Sequence, residues 1–330
     1  MEPILTTDEK RLSLYPIKYK SVYDMYLLHT KMFWVPDEID FRQDCQDWNE
    51  KLTDSERHFI SNILAFFATS ENTVIENLAL RFLHEVKLPE AQHFYAVQIF
   101  MESVHSDTYS RMIDILLNSC SNDPVIVARE KAKLFGAVET IETIKKKAEW
   151  AKRWIFDNDS SFAERLLAFI SVEGIAFIGS FAAIYWLKKR GIMPGLTFSN
   201  ELIQKDESLH RDFGILLYKL LRNPAAPERV LEIVTSAVEL EIAFVEEALP
   251  VNLIGMNATD MSDYIRYTGD FLLAELGLPT HYKAKNPFPF MAAQGAEAKT
   301  NFFERRVSEY GKAHATEKKF TTSLSVFEEA

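Results

Sequence analysis

Glu102 and His105, in MESVHSDTYS, are spaced to stand one turn apart on one face of a helix, and Glu207 and His210, in DESLH, repeat that spacing. A carboxylate and an imidazole so placed can ligate one metal ion together. One such pair is a weak signal, as Glu90 and His93 illustrate: they begin a helix after Pro89 and lie 12 residues before Glu102, about 120° around at roughly 100° per residue, so a solvated first turn is expected. The other two pairs have apolar company. Positions i, i+3, i+4 and i+7 share a helical face. By that test Glu102 and His105 lie with Gln98, Tyr109, Met112 and Leu116, and Glu207 and His210 with Ile203, Gly214 and Leu217. Glu71 lies with Phe67, Val74, Ile75 and Leu78, and Glu173 with Phe169, Ile170, Ala176 and Phe177. Burying an unpaired carboxylate costs several kcal/mol, comparable with the whole stability of a domain, so four of them cannot be packing accidents. Basic residues fall mostly on other faces or near helix ends (Lys188, Lys189, Arg190, Lys219), which leaves metal as the better partner. Four carboxylates and two neutral imidazoles balance two divalent cations, and hard oxygen donors with some imidazole suit iron or manganese.

Long helices must carry these residues. Thr53 and Glu56 form a capping-box pattern that opens a helix over 53–84, Pro89 starts a second, and a more polar one follows in 126–156. Ser161 and Glu164 are another capping-box pair, ahead of the apolar stretch VEGIAFIGSFAAIYWLKK, which stops at Gly191. Three further helical patterns end at Gly277. Two ExxH pairs with one inward Glu from each of two other helices match the carboxylate-bridged dimetal pattern of ferritin-like bundles. The expected fold is therefore all-α, a ferritin-like bundle with additional helices, over 1–291. A flexible C-terminal tail is expected over 292–330, where no core-forming period remains.

Composition agrees with that class. With 11 Gly and 12 Pro in 330 residues, against roughly 12% combined in average usage, turn-rich β architectures are disfavoured. A net charge of -11 argues against nucleic acid or an anionic membrane as partner. The N-terminus has no signal-like pattern, and no charge-free apolar run reaches spanning length, so no membrane association is expected. Cys45 and Cys120 are too few for a disulfide framework, which favours a reducing, cytoplasmic setting. Tyr109, one turn beyond His105, is either a buried core tyrosine or a redox-active side chain, and position does not separate the two.

The stretches FFATSENTVIENL, MESVHSDTYS, SVEGIAFIGSFAAIYWLKKRGIMPGLTFSNELIQKDESLH, LPVNLIGMN, NPFPFM and NFFERRVSEY resemble, in order and over nearly the whole chain, the small radical-generating subunit of class I ribonucleotide reductase. The resemblance implies that Glu71, Glu102, His105, Glu173, Glu207 and His210 ligate two metals that react with O2, and that Tyr109 holds the resulting radical. It implies an apolar pocket of Phe177, Phe181 and Ile203 around that radical. A route toward the large subunit would run from His105 through Asp206 and Trp34 to Tyr310 in the tail. Most members have aspartate where this chain has Glu71. Glutamate there resembles a manganese/iron subgroup, although that subgroup usually has phenylalanine where Tyr109 stands. The implied cofactor is therefore Fe/Fe or Mn/Fe.

The implied assembly is a homodimer whose tail docks on the large catalytic subunit, with Phe320 and Phe327 as candidate anchors, and the implied reaction reduces ribonucleotides to deoxyribonucleotides. A two-electron dimetal oxidase or oxygenase on the same bundle is the competing enzyme class. Iron storage or a helical scaffold is the non-enzymatic one.

Overall fold

A computed structural model of the protein describes residues 2–7, 11, 13–121, 123–247, 256–288 and 290–291. Among the described residues there is no strand. The helices are α1 (Lys20–Lys31), α2 (Arg42–Glu50), α3 (Asp54–Asn77), α4 (Leu83–Glu85), α5 (Pro89–Cys120), α6 (Pro124–Thr140), α7 (Glu142–Phe156), α8 (Phe162–Ile175), α9 (Ile178–Lys189), α10 (Pro194–Lys219), α11 (Pro227–Glu247) and α12 (Ala258–Glu275). Helix α3 packs along α5, α8 along α10, and α5 meets α10, which gathers the four ligand-bearing helices. Helix α1 lies against α5 and α10, α11 backs α8, and α12 packs on α11 and α8.

The expected end signals are in place. Thr53 and Glu56 cap α3 reciprocally, Ser161 and Glu164 cap α8 the same way, and Pro89 opens α5. Gly191 and Gly277 take left-handed φ values of 69° and 84° beyond α9 and α12. Helix α10 is capped from another element, which local sequence patterns do not reveal. Buried Asp44 accepts from the backbone N–H groups of Gly195 and Leu196, both at 2.7 Å, and Asp47 accepts from Met193 at 2.8 Å. A Cβ on Gly195 would fall 2.8 Å from the Asp40 carbonyl oxygen, so this close approach of the segment leading into α2 requires glycine in α10.

Three helices differ from expectation. Helix α3 continues through a π turn, Leu78–Phe82, into α4. The polar helix expected over 126–156 is two helices, parted at Ile141 with ψ 120°, and the break lets α7 turn Lys147 and Trp154 into the core. The apolar stretch is also divided, at Ala176 and Phe177 (φ -117°, ψ -3°). Lys147 Nζ donates there to the Ala176 carbonyl and to Glu241, and Glu241 Oε1 accepts from Gly179 N–H at 3.0 Å. A cation thus sits at the carbonyl end of α8 and an anion at the N–H end of α9, each favoured by the local helix dipole. Phe162–Lys189 is long and apolar enough by composition to cross a membrane, but it is broken and mostly buried inside the bundle.

Candidate metal centre

Helix α3 contributes Glu71, α5 Glu102 and His105, α8 Glu173, and α10 Glu207 and His210, all buried. Their ligand atoms form two quartets. Those of Glu71, Glu102, His105 and Glu207 lie within 4.8 Å of one another, as do those of Glu102, Glu173, Glu207 and His210. Glu102 and Glu207, one from each ExxH pair, belong to both, so both carboxylates would be within reach of each of two cations held there. The sequence supplied the six residues and not this division.

Electrostatics fit the donor set to cations. Burial pushes the Glu71 and Glu173 carboxyls well above the usual carboxylate range, and the Glu102 and Glu207 charges push them further. Burial would drive the histidines down, yet Asp206, Glu102 and Glu207 hold His105 well above its ordinary value. Glu102 and Glu207 likewise hold His210 up at about 10. Glu207 is raised by burial but pulled below its usual value by the two imidazoles. After burial, the influences on this cluster come mostly from its own members, and the positive charge it calls for is what two divalent cations supply.

Hydrogen bonding agrees. Glu207 Oε1 is 3.0 Å from His105 Nδ1 and Oε2 is 3.6 Å from His210 Nδ1, but neither Glu207 oxygen completes a hydrogen bond among the described residues. Glu173 Oε2 and His210 Nδ1 are also buried without one. Donor atoms that converge this closely without pairing suit metal ligation.

Outside the ligands, Gln98 Nε2 donates to Glu173 Oε1 at 2.9 Å. His105 Nε2 lies 3.1 Å from Asp206 Oδ2, and Trp34 Nε1 donates to the same oxygen at 2.8 Å. Trp34 and Asp206 are both buried, so the structure joins three of the four residues of the expected route. Tyr310 lies outside the described residues, as do Phe320 and Phe327. The Tyr109 hydroxyl is buried with no hydrogen-bond partner among the described residues. Burial first, then Glu71, Glu207 and Glu102, raise it well above the usual phenol value, so it stays protonated.

The ring stacked on Tyr109 is Phe67, with centroids 4.5 Å apart and planes at 6°. Phe177 and Phe181 meet Phe67 at 5.8 and 5.2 Å, so they reach Tyr109 through a residue that the sequence pattern places only on the Glu71 face. Ile203 is fully buried one turn before Glu207.

One reading of a glutamate position changes, and one histidine gains a partner. Glu90 is not solvated: it is buried, ion-paired with Arg11 at 2.7 Å and bonded by the Lys18 N–H at 2.8 Å, while His93 is exposed. His29 is buried with Nε2 3.1 Å from His210 Nε2. Burial, then His210 and His105, push it down to about 2, so it is neutral. Neither contact has a local sequence signal, because each partner lies far away in the sequence.

Comparison with known proteins gives a consistent answer. Residues 11–287 match the family model described as ribonucleotide reductase, small chain. The ribonucleoside-diphosphate reductase small subunit of Dictyostelium discoideum is 51% identical over 312 residues, covering 94% of this chain and 90% of that protein. Subunit M2 of the Homo sapiens enzyme is 48% identical over 324 residues, covering 97% and 81%. Among solved structures, the Rnr4 homodimer from Saccharomyces cerevisiae superposes with a TM-score of 0.80 at 35% identity, covering 94% of this chain and 93% of that one. The dimanganese(II)-NrdF of Streptococcus sanguinis shares the fold with a TM-score of 0.71 at 19% identity, covering 87% and 99%. The chain belongs to the ribonucleotide reductase small-chain family, and its dimetal-type carboxylate and histidine cluster sits in that family's ferritin-like bundle.

Proposed function

We propose that this small subunit generates a radical at Tyr109 and delivers its oxidising power to a large catalytic subunit that reduces ribonucleoside diphosphates. The observation that carries the reading is the pair of quartets sharing Glu102 and Glu207, continued outward by the hydrogen-bonded series His105, Asp206 and Trp34. The six ligands would hold Fe/Fe or Mn/Fe, and such a pair, when bound, would supply redox chemistry toward O2 that can oxidise a nearby tyrosine by one electron. Tyr109, protonated and buried against Phe67, is the side chain that would give up one electron together with its phenolic proton. Phe67 on its face, with Phe177, Phe181 and Ile203 around, keeps water and small reductants away. Asp206 holds Trp34 and His105 on one oxygen, a fixed link along which an electron can move.

In this reading residues 1–291 form the metal-bearing domain, and 292–330, with Tyr310, dock on the large subunit. A homodimer is supported by the assembly of the yeast structural relative, and a cytoplasmic setting by free thiols at Cys45 and Cys120. The oxidase reading has one observation of its own, a cavity of about 280 Å³ bordered by Glu173, Glu207, Phe181 and Arg211. The test is to load metal-free protein with iron, manganese or both, add O2, and record metal counts and EPR spectra. A tyrosyl signal absent in Tyr109→Phe is expected. Failure of every loading to give an oxidised cluster would overturn the reading.

A further inference from the structure

We propose that His29 is a positioning residue for the second metal position: its Nε2 accepts the Nε2–H of His210 and so fixes that imidazole with Nδ1 turned to the cluster. The inference rests on the metal reading above. His210 Nδ1 lies 3.0 Å from Glu102 Oε1 and 3.6 Å from Glu207 Oε2, so Nδ1 is the nitrogen that faces the ligand group. A nitrogen that ligates a cation cannot also carry a proton, so the His210 proton belongs on Nε2. The atom in reach of that proton is His29 Nε2, at 3.1 Å. His29 must then carry its own proton on Nδ1, which is buried and makes no hydrogen bond among the described residues. An apolar side chain of similar size would avoid that penalty, so packing alone does not explain histidine here. The ring is held between Phe94, at 4.8 Å, and His210, at 4.9 Å between centroids, in the last turn of α1.

The two metal-facing histidines are thereby backed unequally. His105 gives its Nε2–H to Asp206, whereas His210 gives its own to a neutral imidazole. An anionic acceptor makes the imidazole in front of it a stronger donor, so the Glu71/His105 position is the stronger and the Glu173/His210 position the weaker. The segment from His29 to Trp34 supplies the outer contact on both sides, His29 directly and Trp34 through Asp206.

The test is anaerobic titration of full-length metal-free protein with Mn(II) and, separately, Fe(II), read by metal count and by the Mössbauer spectrum of the iron-loaded form. His29→Leu fills the space but removes the acceptor, and it should weaken the second site about 10- to 100-fold, the usual effect of losing such an outer partner, leaving about one tight metal per subunit. His29→Gln, whose amide oxygen can stand where Nε2 stands, should restore the second site. Far-UV helicity and thermal midpoint of the metal-free variants separate lost folding from lost binding. Should His29→Leu not fold, His29→Asn, whose amide ends short of the Nε2 position, must show the same loss. Wild-type affinity for two metals in His29→Leu or His29→Asn, or no advantage of His29→Gln over them, overturns the proposal. A wild-type protein that binds no metal would instead overturn the metal reading itself.

Discussion

One carboxylate oxygen, Asp206 Oδ2, meets two ring nitrogens, Trp34 Nε1 at 2.8 Å and His105 Nε2 at 3.1 Å. The Trp34 and His105 rings lie nearly parallel, 20° apart, with centroids separated by 6.0 Å. This arrangement needs the indole N–H, because a buried carboxylate that loses one of its donors is both less stable and less well placed. Trp34→Phe keeps a ring in the core and removes that donor. It should leave metal content and the Tyr109 signal intact while lowering turnover with the large subunit by at least about 100-fold, the scale on which lost positioning is felt. Turnover at the wild-type rate, measured as deoxyribonucleotide formed by the assembled enzyme, would remove Trp34 from the route. The ligands themselves are legible in sequence because helical periodicity is local: Glu71 and Glu173 betray themselves against their own neighbours three and four positions away. Phe67 on Tyr109 and His29 on His210 are not, since each contact joins different helices and no spacing rule connects the partners.

Helix α8 would run on into α9 if apolar periodicity were the only influence, as the sequence pattern suggests. What interrupts it is a buried ion pair from two other helices, Lys147 of α7 and Glu241 of α11, which bonds Ala176 O and Gly179 N–H at the junction. Burial lowers Lys147 from its usual value and raises Glu241 to about 7, and the attraction of the pair offsets this on both sides without overcoming it. Such a pair stabilises little by itself and is expensive to split. Gly179 belongs to the same junction, because a Cβ there would fall 2.6 Å from Val245 Cγ2 and 2.9 Å from Glu241 Oε1.

Lys147→Met strands Glu241 and should destabilise the protein by about 3–5 kcal/mol, the cost of leaving a buried charge unpaired. Adding Glu241→Gln should recover most of that loss, because the amide oxygen still accepts from Gly179 while the charge is gone. Urea unfolding of both variants checks this, and a double variant no more stable than the single would show that the junction depends on the charges themselves. The capping boxes and stop glycines, being local patterns, are readable in the sequence, whereas the break at Phe177, held by contacts from other helices, is not.

The assembled molecule separates the work of its parts from one end to the other. The last described residues are anchored in the core: Phe288 and Met291 are buried, Phe288 packs on Tyr264 at 5.5 Å, and Phe290 lies 6.3 Å from Trp186. Among the described residues, every ligand, every Tyr109 neighbour and both members of the Lys147–Glu241 junction come before them. From 292 onward the composition turns small and polar before the closing FTTSLSVFEEA, which holds two phenylalanines among polar and acidic residues. A variant that stops after Met291 should therefore keep its helicity, its metal count, its thermal midpoint and the Tyr109 signal, because every described residue of the site is retained. It should lose binding to the large subunit and with it all ribonucleotide reduction. A synthetic peptide of the last eleven residues should compete with the full-length protein for the large subunit, since short segments bind through a few anchoring side chains. Sedimentation or surface-binding measurements on the truncated variant decide the matter: undiminished association would move the docking contact onto the helical body, and a lost metal site would move the domain boundary past Met291.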